Sequence, residues 1–165
     1  MGMKPNVAPR TESSSRPKLG IVLSGGGARG FAHVGVLRAL NHLGVYPDYI
    51  VGVSMGAAVG ATYALNDDWY SALIDMDVSG FPLLPNFSEP GMMRYVRNLR
   101  VAQKAITGMY FGWGVGQPTA DWGRSVLTSL TQNKPLEAGR VPIFATATDI
   151  VSGQRVVFGT GPATD

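Results

Sequence analysis

The strongest constraint in this sequence is a serine between two glycines, where a short apolar run gives way to a longer apolar stretch. The serine is Ser54, the glycines are Gly52 and Gly56, and the short apolar run before the serine covers residues 49–53. The run predicts a strand and the stretch predicts a helix. A serine in such a tight turn needs glycines around it, because side chains there would collide. The turn exposes the Ser54 hydroxyl and directs the Met55 amide and the helix dipole towards developing negative charge.

A second glycine cluster stands earlier in the chain in the same kind of context. It follows the apolar run at residues 19–23 and precedes a stretch in which apolar residues recur every three residues. That spacing predicts a helix that ends at Gly44. Consecutive glycines allow backbone N–H groups to converge on an anion. Acyl transfer needs such donors at the oxyanion, and each contributes about 3 kcal/mol. The cluster consists of Gly25, Gly26, Gly27, Arg29 and Gly30.

The order of elements predicts an α/β fold with a mainly parallel sheet. Residues 19–65 read as strand, glycine loop, helix, strand, serine turn and helix, an alternation typical of parallel strands sandwiched by helices. Residues 141–147 predict another strand. A β-hairpin is predicted next, with its first strand at residues 150–151, its turn at 152–153 and its second strand at 155–158.

Composition divides the chain into a leader and one domain. Residues 1–17 are rich in proline, serine and basic residues and predict a flexible leader, and the net charge of +3 lies within residues 1–18. From Leu19 onward basic and acidic residues balance, so we expect no nucleic-acid partner. Residues 18–165 predict a single domain in which prolines and glycines break residues 66–135 into a lid-like helical region.

The absence of cysteine excludes disulfides, thiol catalysis and Cys-ligated zinc, and it fits a reducing compartment. The N-terminus lacks the apolar segment of a signal peptide, and no apolar run is long enough to span a membrane. We therefore expect a cytoplasmic protein, with no metal and no cofactor.

A basic stretch in the middle of the chain predicts peripheral membrane contact. Its four basic residues lie at helical spacing, with apolar residues roughly opposite and an aromatic run after them. A basic amphipathic helix of this kind can rest on anionic lipid. The pattern is also typical of a surface helix whose apolar side packs on the core. The basic residues are Arg94, Arg97, Arg100 and Lys104.

The glycines at residues 25–30 also satisfy the G-x-G-x-x-G pattern of nucleotide-binding loops. That function requires an acidic residue about 20 positions on, at the end of the next strand. Asp48 has the right distance but precedes the strand, whose end is occupied by Ser54. The pattern favours an oxyanion loop, with a nucleotide-binding protein as an alternative.

The histidines argue against a triad in the usual order. An ordinary α/β-hydrolase places its acid and its histidine after the serine. Here His33 and His42 both precede Ser54, so that order is excluded. We interpret His33, which lies in the helix behind the glycine loop, as a helix-packing residue.

The runs GGGARGFAHVGVLRAL and GVSMGA resemble the patatin-like phospholipase family, close to its bacterial members and the catalytic domain of neuropathy target esterase. A looser match continues through VPIFATATDIVSGQRVVFGTG. The resemblance implies a three-layer α/β/α catalytic domain that hydrolyses acyl esters of phospholipids or lysophospholipids with a Ser-Asp dyad. It implies Ser54 as nucleophile, Gly25, Gly26 and Gly27 as the oxyanion hole, and Arg29 as a residue that braces the loop.

The chain departs from the family at the catalytic aspartate, which should lie in an Asp-Gly-Gly or Asp-Gly-Ala motif. No Asp-Gly dipeptide occurs here, and Asp149, the best internal candidate by geometry, matches a position that is not the catalytic one. We therefore expect a domain truncated before that aspartate. We also expect the chain alone to be nearly inactive, because a serine without a base is a weak nucleophile. A catalytically inactive lipid-binding module is the alternative.

Overall fold

The computed structural model describes residues 16–76 and 117–164. Its strands are β1 (Gly20–Leu23), β2 (Tyr49–Val53), β3 (Ile143–Thr148) and β4 (Arg155–Phe158). Its α-helices are α1 (Ala32–His42), α2 (Met55–Leu65), α3 (Trp69–Ile74) and α4 (Gln117–Thr131), and its 3₁₀ helices are Gly27–Phe31 and Leu136–Ala138. Most of the predicted leader and much of the predicted lid, including the basic stretch at 94–104, lie outside the described residues.

The chain divides into two compact units, residues 1–76 with 127–165 and residues 77–126. The first unit holds the sheet, the helices α1 to α3 and the end of α4. Of the second unit the structure describes residues 117–126, which form the first part of α4. The candidate site lies wholly within the first unit.

The described strands form one mixed sheet in the order β1-β2-β3-β4. The strands β1, β2 and β3 are parallel, and β4 runs antiparallel to β3. Leu23 lies opposite Gly52, and Val53 lies opposite Thr146, so the three parallel strands present their carboxyl ends at one edge. The predicted α/β class and the mainly parallel sheet are confirmed.

Helices α1 and α2 lie on one face of the sheet. The sheet order follows the chain order, so right-handed connections from β1 to β2 and from β2 to β3 leave the sheet on the same side. Helix α2 packs against all three parallel strands, and α1 packs against α2 and α3. The face beneath α2 presents Leu23, Ile50 and Ile143, each at most 2% exposed.

The close approach of α2 to the sheet depends on Gly60. A Cβ at Gly60 would lie 2.8 Å from Cδ1 of Ile143 and 3.0 Å from Cγ2 of Ile50. It would also lie 3.5 Å from Cδ1 of Leu23. One side chain from each parallel strand therefore fills the space that a side chain at position 60 would need.

The opposite face of the sheet carries apolar side chains that are partly exposed. Alternation along the strands places Val22, Tyr49, Val53 and Phe144 on this face. Val22 is 74% exposed, and the other three are between 38% and 42% exposed. The helices α1 and α2 thus cover one face, while apolar side chains on the other face contact solvent.

The carboxyl end of α2 is fixed by donors from the segment between α4 and β3. The backbone N–H of Arg140 donates to the carbonyl oxygen of Ala64 at 2.9 Å. The Lys134 Nζ donates to the carbonyl oxygen of Leu65, and the Arg140 Nη1 donates to that of Asn66, each at 2.9 Å. Cations at this end also complement the helix dipole. These contacts anchor the helix whose other end begins beside the predicted nucleophile.

The predicted hairpin exists, but its first strand was wrongly placed. Strand β3 itself pairs with β4. Ile150 and Val151 lie in the connecting turn and are 94% and 91% exposed. The physical reason is Asp149, whose N–H donates to the Gln154 carbonyl at 2.8 Å and whose carbonyl accepts from the Gly153 N–H at 2.7 Å. These bonds reverse the chain before residue 150 can extend a strand.

Candidate active site

Ser54 is the single residue between β2 and α2. Its backbone has φ 52° and ψ −123°, a conformation that residues other than glycine rarely adopt and that costs on the order of 1–3 kcal/mol. The residue is exposed, and its hydroxyl does not cap the helix that begins after it. Serine is otherwise a favoured N-cap. The junction therefore leaves the hydroxyl available for chemistry.

Gly52 and Gly56 make the sharp turn around Ser54 sterically possible. A Cβ at Gly52 would lie 2.4 Å from the Cα of Ala57 and 2.7 Å from the carbonyl carbon of Gly56. A Cβ at Gly56 would lie 2.2 Å from the carbonyl oxygen of Leu23. Both obstacles are backbone atoms, which cannot rotate away as side chains can. The turn thus needs glycine at both positions, one against the start of α2 and one against the end of β1.

The first turn of α2 offers backbone donors beside Ser54. The Ser54 carbonyl accepts from the N–H groups of Ala57 at 2.9 Å and Ala58 at 3.1 Å, as in an ordinary first turn. The N–H groups of the preceding residues, Met55 and Gly56, have no carbonyl within the helix to bind. They lie at the positive end of the helix dipole, where a negative charge is stabilised.

The glycine loop meets Ser54 through Gly25. A Cβ at Gly25 would lie 3.2 Å from the Ser54 Cβ and 3.9 Å from its Oγ. Gly26 and Gly27 have φ values of 153° and 54°, which favour glycine. A Cβ at Gly27 would meet nothing within 4 Å, so backbone conformation rather than crowding favours glycine there.

The far end of the same loop meets the start of α2. A Cβ at Gly30 would lie 2.7 Å from the Cβ of Met55, so the absence of a side chain lets the two segments touch. Arg29 is exposed, and its backbone N–H donates to the Gly26 carbonyl at 3.2 Å, which closes the loop. The structure therefore brings Gly25 and Gly30 against the serine turn, with Gly26, Gly27 and Arg29 between them.

His33 makes a contact that the predicted helix-packing role does not include. The residue is half-buried, and the Nε2 of its ring lies 2.9 Å from the carbonyl oxygen of Ser24, the residue between β1 and the glycine loop. Sequence reasoning missed this contact, although the run that carries the family resemblance includes both the glycines and His33. The spacing of nine residues between His33 and Ser24 offers no helical or strand period from which to predict it.

Asp149 is occupied within its own turn. Its carboxylate accepts from the Val151 N–H at 2.9 Å and from the Ser152 Oγ at 2.6 Å. These hydrogen bonds, led by that of Ser152, hold the pKa of the Asp149 carboxyl below its usual value. A general base working near neutral pH needs a pKa closer to that pH. Asp149 therefore acts as a turn-forming residue.

Asp48 lies at the amino end of β2, whereas Ser54 lies at its carboxyl end. Its carboxylate binds both terminal nitrogens of Arg16 at 2.9 Å and accepts from the Leu19 N–H at 2.6 Å. A ribose-binding acid is needed at the carboxyl end of that strand. Asp48 instead joins the start of β1 to the start of β2, which argues against the nucleotide-binding alternative.

No group of three or more His, Asp or Glu side chains in residues 16–76 and 117–164 comes together as metal ligands. None of the helices within those ranges is long and apolar enough to cross a lipid bilayer.

Comparison with known proteins places this arrangement in a family. The model of the patatin-like phospholipase family matches residues 21–151, which include the glycine loop, the serine turn and β3. This chain belongs to the patatin-like phospholipase family.

Individual relatives agree with that assignment. An uncharacterised NTE family protein of Mycobacterium tuberculosis is 32% identical over 161 residues, covering 94% of this chain and 38% of the relative. Patatin-like phospholipase domain-containing protein 7 of Mus musculus is 32% identical over 143 residues, covering 87% of this chain and 9% of the relative. A lysophospholipase of Aspergillus fumigatus is 54% identical over 50 residues, 30% of this chain and 3% of the relative. The chain thus spans well under half the length of each of these three relatives.

The turn that contains Asp149 should respond to acid. The folded chain lowers the pKa of the Asp149 carboxyl, so the ionised carboxylate stabilises the turn at pH values above the ordinary aspartate pKa. This stabilisation is lost as the pH falls through the lowered pKa. We expect the Asp149 carboxyl carbon, followed by NMR, to titrate below the usual aspartate range. Ser152→Ala should move the titration up towards that range, and Ser129→Ala should not. An ordinary Asp149 titration in the unmodified chain would show that this account of the turn is wrong.

Proposed function

We propose that this chain carries the nucleophile of a serine acyl hydrolase that acts on lipid acyl esters through an acyl intermediate on Ser54. The observation that supports the proposal is the positive φ of Ser54 at a strand-to-helix junction, with a hydroxyl that does not cap the helix. Strained backbone of this kind clusters at active sites. Family membership and a relative named as a lysophospholipase support phospholipids or lysophospholipids as the substrate class.

In the proposed reaction the Ser54 Oγ attacks the ester carbonyl carbon while its proton passes to a general base. The carbonyl electrons move onto oxygen, and the oxyanion accepts hydrogen bonds from the amides of Met55 and of the loop glycines Gly25, Gly26 and Gly27. The oxyanion then collapses, and the alcohol leaves with the proton from the base. Water attacks the acyl-serine, the base removes its proton, and the fatty acid leaves as the Ser54 hydroxyl is restored.

The general base in this proposal is an aspartate that forms a Ser-Asp dyad with Ser54. Asp149 and Asp48 are engaged elsewhere, the first in its own turn and the second with Arg16. The chain contains no Asp-Gly dipeptide and spans 38% of its mycobacterial relative. We propose that the partner aspartate is missing from this chain. The chain alone should therefore turn esters over slowly, because a neutral serine hydroxyl attacks poorly.

A fluorophosphonate with an alkyl chain tests the nucleophile. The probe forms a bond to a serine oxygen with loss of fluoride, and the serine proton passes to solvent base. We expect the full chain to gain one phosphonyl group, located at Ser54 by tandem mass spectrometry, and the Ser54→Ala variant to gain none. The labelling rate should rise with pH, because the chain supplies no internal base and hydroxide from the solvent must remove the Ser54 proton.

Ser71→Ala serves as the matched control, since Ser71 is exposed on α3 and its hydroxyl donates to Asp68 at 2.9 Å. This variant should label as the unmodified chain does. Failure to label, or labelling at another serine, would contradict the proposed nucleophile and favour a catalytically inactive lipid-binding module.

Peripheral contact with the cytoplasmic face of anionic membranes is also part of the proposal. It rests on the helical spacing of four basic residues that lie outside the described part of the chain. Each basic residue near an anionic surface contributes about 1 kcal/mol. The residues are Arg94, Arg97, Arg100 and Lys104.

Replacing all four basic residues with glutamate should abolish sedimentation with vesicles of equal parts phosphatidylcholine and phosphatidylserine at low salt. Arg155→Glu, a single exchange on the exposed edge strand β4, should leave most of the sedimentation intact. Equal sedimentation of the fourfold variant and the unmodified chain would contradict the membrane contact.

A further inference from the structure

The contact between His33 and Ser24 lies within the proposed oxyanion machinery. Ser24 is the residue before Gly25, and Gly25 adjoins Ser54. The imidazole Nε2 of His33 is 2.9 Å from the Ser24 carbonyl oxygen, a normal hydrogen-bond distance. Because a carbonyl oxygen can only accept, Nε2 carries the proton. Both the neutral ring protonated at Nε2 and the imidazolium can make this bond.

The bond has a geometric consequence for Gly25. The carbonyl of Ser24 and the N–H of Gly25 belong to one planar peptide group, and in a trans peptide the two point in opposite directions. The described peptides are all trans. A donor that holds the Ser24 carbonyl therefore also sets the direction of the Gly25 N–H. That direction decides whether Gly25 can donate to an oxyanion on a substrate bound to Ser54.

The glycine loop needs such an anchor. Gly25, Gly26 and Gly27 have no side chains to restrain rotation of the peptide groups between them, and two of the three have positive φ. A flipped Ser24–Gly25 peptide would present an oxygen in place of the N–H and repel the oxyanion. The Ser24 carbonyl oxygen also packs against Gly56, because a Cβ at Gly56 would lie only 2.7 Å from that oxygen.

We propose that His33 is a positioning residue that locks the Ser24–Gly25 peptide in one orientation and so keeps the Gly25 amide in place as an oxyanion donor. The inference rests on the proposed function of Ser54, because only an acyl-transfer site needs that donor. Loss of one oxyanion donor lowers a rate by about 10²–10³-fold. Loss of its anchor should cost less, since the peptide still visits the productive orientation.

Two replacements separate anchoring from general structural damage. His33→Phe keeps a planar ring but removes the donor, whereas His33→Gln provides an amide N–H₂ at a similar reach. His42→Phe is the matched control, because His42 is the other histidine of α1 and is exposed. Thermal unfolding of each variant verifies that it folds.

The first readout needs no activity. In ¹⁵N and ¹³C NMR spectra of the full chain, His33→Phe should shift or broaden the Gly25 amide and the Ser24 carbonyl carbon. His33→Gln should restore both signals, and His42→Phe should leave them unchanged. A Gly25 amide that is unaffected by His33→Phe would overturn the inference.

The second readout is the rate of Ser54 phosphonylation by the alkyl fluorophosphonate. We expect His33→Phe to lower kinact about tenfold with little change in KI, and His33→Gln to recover most of the loss. Equal kinact values for the Phe and Gln variants would overturn the inference. If the unmodified chain does not label at all, the proposed function fails, and the NMR comparison alone decides whether His33 anchors the peptide.

Discussion

At Ser54 the chain passes from β2 to α2 through one residue, whose φ of 52° opposes the ordinary preference of a serine. Such a conformation persists only where the surrounding structure over-determines it. The strand before it is hydrogen-bonded on both sides, by β1 and by β3. The helix after it is buried against three strands and anchored at its far end by Lys134 and Arg140. Neither element can shift to relieve the junction, so the serine carries the strain.

The proposed oxyanion donors come from two separate segments, and the parallel pairing of β1 with β2 brings them together. The register that sets Leu23 opposite Gly52 ends both strands at one level, so the glycine loop and the serine turn emerge side by side. Gly56 and Gly30 then let the segments approach to contact distance. The proposed role of His33 fits this arrangement, since a loop of glycines gains orientation from a neighbour and not from its own side chains.

Much of the fold could be predicted because the relevant signals are local. Residues 49–53 form β2 with the bounds that their apolar run predicts, and the helix expected before Gly44 is observed as α1. The hairpin was predicted less well, because the side chain of Asp149 and not the apolar pattern determines where the turn begins. The His33 contact was missed for a related reason, since it depends on the path of an irregular loop. The proximity of Gly25 to Ser54 likewise depends on strand register, which no single segment encodes.

The strain at residue 54 is open to a direct measurement of stability. With the free energy of unfolding measured in urea, Ser54→Gly should be more stable than Ser54→Ala by about 1 kcal/mol, because glycine tolerates the positive φ. In the middle of α1 alanine should instead be more stabilising than glycine, because alanine has the higher helix propensity. The Gly35→Ala variant should therefore be more stable than the unmodified chain, since a Cβ at Gly35 meets nothing within 4 Å. If the Ala variant at position 54 is as stable as the Gly variant, the junction is not strained, and the central claim about Ser54 is contradicted.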